Sequence, residues 1–73
     1  MLTGHSIQEL GTLARNGASM DIDGSQYPPV DIGELARNMT RGAVLTVHNS
    51  SRIPMHLLAQ IARASGISNV RFV

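Results

Sequence analysis

The stretch GAVLTVHNSSRIPMHLLAQIARASGISNVRFV, residues 42–73, decides how the rest of the chain is read. Ala43-Val-Leu45-Thr-Val47-His48 alternates as a half-buried strand does, since successive side chains of a strand face opposite sides. His48, Asn49, Ser50, Ser51 and Arg52 then form a polar turn. Leu58 and Ile61, three residues apart, share one face of a helix. Gly66 closes that helix, and Ser68-Asn-Val70-Arg-Phe72-Val73 alternates again. The segment predicts strand, turn, helix, strand.

The helical part has two earlier copies. Leu10-Gly-Thr-Leu13-Ala14-Arg15, Ile32-Gly-Glu-Leu35-Ala36-Arg37 and Leu58-Ala-Gln-Ile61-Ala62-Arg63 each read aliphatic, two spacers, aliphatic, Ala, Arg. They start 22 and 26 residues apart. The punctuation repeats with them. Pro28 and Pro54 stand four residues before the first aliphatic, a place suited to the first turn of a helix, which puts Ile53 at the cap of the third. Ser6 holds the matching place in the first copy, and Ser6-Ile-Gln-Glu9 has the spacing of a capping box. Gly17, Gly42 and Gly66 follow the three stripes, as residues that end helices in the left-handed conformation.

A short alternating run follows each glycine. Met20, Ile22, Ala43, Leu45, Val47, Val70 and Phe72 collect on one face. Ser19, Asp21, Asp23, Val44, Thr46, His48, Asn69 and Arg71 collect on the other. The chain is therefore expected to be one α/β domain over residues 1–73, built of three helix–strand repeats near 5–24, 27–50 and 53–73. Strands joined through a single helix run parallel. Right-handed connections put every helix on the same side. The expected architecture is a two-layer, solenoid-like stack: a three-stranded parallel sheet in the order 1-2-3, helices on one face, and a bare polar face opposite.

Gly42-Ala-Val-Leu45-Thr-Val47-His-Asn49 resembles the strand segment of a leucine-rich repeat, and the repeat length is similar to that family's. The resemblance implies binding through the strand face and no catalysis.

Composition narrows the class. With 73 residues and no cysteine, the chain has neither disulfides nor thiolate metal ligands to staple a small core. Its only aromatic residues are Tyr27 and Phe72, so the core is aliphatic. A net charge of +1 is too small for strong attraction to nucleic acid or anionic lipid. No apolar run reaches membrane-spanning length and no secretory leader is evident. A cytoplasmic protein, of a kind compatible with a bacterial or phage origin, is expected.

Four constellations carry possible chemistry. Ser50 or Ser51 with His48, oriented by Asp21 or Asp23, has the residue types of a nucleophilic site. It lacks a Gly-x-Ser-x-Gly elbow and lies on a flat solvated surface, so no catalytic role is expected. His5, His48 and His56 lack metal-ligand spacing, so neither a metal nor a cofactor is expected. Arg15, Arg37 and Arg63 share one repeat position and form a row across the helices. Such a row could follow a phosphate backbone, although a cation in the last turn of a helix also offsets the helix dipole. Tyr27-Pro28-Pro29 is a rigid extended piece of the kind aromatic grooves recognise, and more simply sets the approach to the second helix. Gly11 and Gly33, one residue after the first aliphatic, suggest close approach between helices or between helix and sheet within the chain, or else a face that meets another chain.

An unstapled three-stranded sheet is marginal alone, and an open strand edge invites pairing. The expectation is a non-enzymatic protein-interaction or self-assembly module, binding itself or another protein. The candidate contact residues are Arg15, Arg37, Arg63, Asp21, Thr46, His48, Arg71 and Phe72. A nucleic-acid-associated protein using the arginine row is the alternative.

Overall fold

The computed structural model describes residues 4–66 and 69–73. Its elements alternate throughout: α1 (Ile7–Arg15), β1 (Met20–Asp23), α2 (Pro29–Asn38), β2 (Val44–His48), α3 (Met55–Ala64) and β3 (Asn69–Phe72), with one 3₁₀ turn at Ser50–Arg52. Ser68, which the alternation assigns to the third strand, lies outside the described residues.

The three helices start alike. Ser6, Pro28 and Pro54 are the N-cap residues, and each carbonyl accepts from the amide four residues on, at Leu10, Ile32 and Leu58. Ser6 forms the full capping box: its hydroxyl accepts from the Glu9 amide at 3.2 Å, and the Glu9 carboxylate accepts from the Ser6 amide at 2.9 Å. Both prolines therefore sit one place earlier than the first helical position. Pro28 is held extended by Pro29, because a residue before proline is kept out of the helical region. Ile53, expected at the third cap, is instead buried and anchors the turn below it.

The endings differ. Gly17 closes α1 at a φ of 92°, with the Gly17 amide on the Ala14 carbonyl and the Ala18 amide on the Leu13 carbonyl, the paired bonds of a Schellman motif. In contrast, α2 stops at Asn38, four residues before Gly42. Met39 leaves the helix in an extended conformation and buries its side chain. Gly42, with φ 88°, serves the following turn, which the Ala43 amide closes on the Thr40 carbonyl.

The sheet is parallel throughout, in the order β1-β2-β3. Met20 pairs with Leu45 and Leu45 with Val70; Ile22 pairs with Val47 and Val47 with Phe72. The inward-facing Met20, Ile22, Leu45 and Val47 are buried under the helices, while Asp21 and Arg71 on the reverse face are exposed. α2 packs between α1 and α3 over the sheet. The result is a two-layer stack of three helix–strand units with all helices on one face. Leu10, Ile22, Ile32, Leu35, Leu45, Val47 and Ile61 are its fully buried large side chains.

Neither repeated helix glycine is forced by packing. A Cβ at Gly33 would rest 3.9 Å from the Ala64 Cβ, and one at Gly11 would meet the tip of Arg15 at 3.3 Å. The tight glycine is Gly24, where a Cβ would stand 2.7 Å from Val47 Cγ1 and 3.0 Å from the His48 carbonyl oxygen.

Candidate functional site

The turn after β2 is a fastening. Asn49 takes the left-handed conformation at φ 60° and donates its side-chain amide to Asp23 Oδ1 at 3.0 Å. The same oxygen accepts from the Ser25 hydroxyl at 2.7 Å and the Ser25 amide at 2.9 Å. Those donors, the Ser25 hydroxyl foremost and Asn49 next, favour the ionised form and lower the Asp23 pKa to about 2. The Gly24 amide adds a bond to the His48 carbonyl at 2.8 Å. On the other side, the hydroxyl and amide of buried Ser50 both donate to the Val73 carbonyl at 3.1 Å. One turn thus ties β2 to the strands on both its flanks.

These bonds occupy the groups that a nucleophilic site would use. Ser50 holds β3, and Asp23, which faces His48 in register, turns to Ser25 and Asn49. His48 Nε2 lies 3.5 Å from Asp21 Oδ2. It is shielded from solvent and makes no hydrogen bond within the described structure. Ser51 is exposed within the 3₁₀ turn.

Asp21, Thr46 and Arg71 stand side by side across the three strands, and His48 joins Asp21 diagonally. These four candidates share the polar face of the sheet. Phe72 does not: it points to the helix side, where it is half-buried against the core.

Arg15, Arg37 and Arg63 occupy the last turns of α1, α2 and α3. Arg37 pairs with Glu34 at 2.8 Å, and Arg15 donates to the Thr12 hydroxyl at 3.3 Å. Arg37 and Arg63 flank one shallow depression, whereas Arg15 lines another between α1 and α2. Among the histidines, His5 approaches Glu9 at 3.9 Å, while His56 sits exposed in the first turn of α3. Among the described residues no three His, Cys, Asp or Glu side chains converge where a metal ion could bind. Tyr27 is tied down, its hydroxyl donating to the His5 carbonyl at 2.7 Å.

The feature that sequence reading missed is a difference between equivalent positions. Leu10 and Ile32 are fully buried, yet Leu58, their counterpart in the third unit, is only half-buried; Ala14 and Ala36 are sealed, yet Ala62 is exposed. Val70 and Phe72 are half-buried where their counterparts in β1 and β2 are covered. Each earlier unit has its front covered by the next, while the front of the third unit is only partly covered in the described structure. Aligning the three copies marks Leu58 and Ala62 as the positions to compare with the sealed Leu10, Ile32, Ala14 and Ala36.

No protein-family model, no curated protein and no solved structure matches this chain. The likeness to a leucine-rich repeat rests on the pattern of residues 42–49. Asn49 spends its side chain on Asp23 at the surface.

Proposed function

We propose that this chain is a non-enzymatic protein-interaction module that binds through the front of its third unit: the outer edge of β3 and the adjoining face of α3. One observation carries the reading. Ala62 is exposed and Leu58, Val70 and Phe72 are only half-buried, although their equivalents in the preceding units are sealed. Covering that front removes apolar surface from water, worth about 25 cal/mol per Å². It also gives partners to the outward N–H and C=O groups of an edge strand. The commitment of Ser50 and Asp23 to structural bonds supports a non-catalytic role. The Glu34 carboxylate on Arg37 counts against the arginine row as a phosphate contact. No helix among the described residues is long and apolar enough to cross a membrane, and the lack of cysteine suits a cytoplasmic setting.

A photo-cross-linking side chain placed in turn at Ala62, Thr46 and Val30 tests the surface. A protein adduct is expected from Ala62 alone. Adducts from Thr46 with none from Ala62 would move the binding surface to the polar sheet face and refute this reading.

A further inference from the structure

The two ends of the stack carry the two halves of an interface that the chain already makes twice. Between α1 and α2, Ile7, Gly11 and Arg15 face Leu35 and Asn38. Between α2 and α3, Pro29, Gly33 and Arg37 face Ile61 and Ala64. Every residue of the second set is the repeat equivalent of one in the first, 22 residues on for the front half and 26 on for the rear half. The interface is thus one surface used twice, each front meeting the next rear.

The same correspondence defines what is left over. The spare front belongs to α3: Met55, Ala59 and Arg63, equivalent to Pro29, Gly33 and Arg37, are exposed. The spare rear belongs to α1: Leu13 and Asn16 match Leu35 and Asn38. Leu13 is 41 % exposed, whereas Leu35 and Ile61 are each 1 % exposed. The strands agree. In β3 the Asn69 and Val73 amides donate to β2, so alternation turns the Val70 and Phe72 amides outward. In β1 the Gly24 amide donates to β2, which turns those of Asp21 and Asp23 outward. In the register that runs through the sheet, Met20 with Leu45 with Val70, a further strand beside β3 places its Met20 opposite Val70.

We infer that the partner for the front of the third unit is a second copy of this chain, stacked head to tail: Leu13 of the second copy seats against α3, and its β1 extends the sheet beside β3. This rests on the interaction reading above and adds the identity and direction of the partner. Such contacts are heterologous. Each uses one front and one rear, so they continue into longer assemblies, closing into rings only if the rotation per copy allows.

Sedimentation velocity over a concentration series, with two variants at exposed positions, tests it. Leu13→Glu blocks the rear and Ala62→Glu the front, and circular dichroism checks that both fold. The wild type is expected to pass beyond dimer as concentration rises, and each variant alone to remain monomeric. Their mixture is expected to form a one-to-one dimer and nothing larger, because only one matched front and rear survives. A wild type that stays monomeric at every concentration overturns the inference, while adducts at Ala62 with a different protein would leave the interaction reading standing. A wild type that stops at a symmetric dimer, or a mixture that stays monomeric, also overturns it.

Discussion

Leu13 and Ile61 hold the same position in their units, yet Leu13 is 41 % exposed and Ile61 is 1 % exposed. The difference comes from neighbours, since Ile61 seats against α2 while Leu13 meets no earlier helix among the described residues. Stacked units of this kind draw stability from their internal interfaces. The consequences below follow from which groups those interfaces and turns already use.

Among the described helices, α1 is the one whose start is secured by side chains, through its capping box. Ser6→Ala removes the acceptor for the Glu9 amide and is expected to cost about 1 kcal/mol, measured by urea unfolding. An unchanged denaturation midpoint would mean that α1 does not depend on its cap.

Glycines at two places should respond with opposite sign. Gly24→Ala drives a methyl into Val47 and the His48 carbonyl and is expected to destabilise by about 1–3 kcal/mol, as overpacking does. Gly33→Ala places its methyl in ordinary contact with Ala64 and is expected to stabilise by up to about 1 kcal/mol through helix propensity. Equal effects in urea titration would contradict the geometry of both sites.

The Asp23 carboxylate makes the β1–β2 fastening sensitive to acid. Its folded-state pKa is lowered from 3.8 to about 2, so its contribution is present in full above the unfolded value. It fades as pH falls through that window towards the folded value. Asp23→Asn is expected to be less stable than the wild type at neutral pH, with the gap narrowing across that window. A gap that is independent of pH, by thermal unfolding at a series of pH values, would show that the charge is not what Asn49 and Ser25 hold.

The arginine row should matter little for stability. Arg37 and Glu34 are both well exposed, and pairs of that kind contribute about 0–1 kcal/mol. Arg37→Ala is expected to leave the unfolding midpoint within about 0.5 kcal/mol of wild type, and the parent protein to pass through a DNA column at moderate salt. Salt-dependent retention that Arg37→Ala abolishes would favour the nucleic-acid alternative.

Much of this fold was legible because periodicity, caps and turn residues agreed. The spacing Leu10–Leu13, Ile32–Leu35 and Leu58–Ile61 fixed the helices, and the alternation from Ala43 to His48 fixed the faces of the sheet. Cap positions slipped by one residue because a proline can supply the last extended residue as readily as the first helical one. Gly42 was misread because Met39 ended α2 early, drawn into the core by packing that no local pattern encodes. The polar turn at His48–Arg52 suggested chemistry by residue type alone. Only the geometry assigned Ser50 to Val73 and Asn49 to Asp23. The partly covered front of the third unit was invisible for a different reason: Leu58 and Leu10 are the same residue in the same pattern, and only the presence or absence of a neighbour separates them.

Amide hydrogen exchange followed against protein concentration tests the head-to-tail account most directly. The outward amides of Val70 and Phe72 on β3 and of Asp21 and Asp23 on β1 should exchange quickly in dilute protein. All four should slow together as concentration rises, while those of Leu45 and Val47 stay protected throughout. Slowing on β3 without slowing on β1, or no change on either edge, would contradict it.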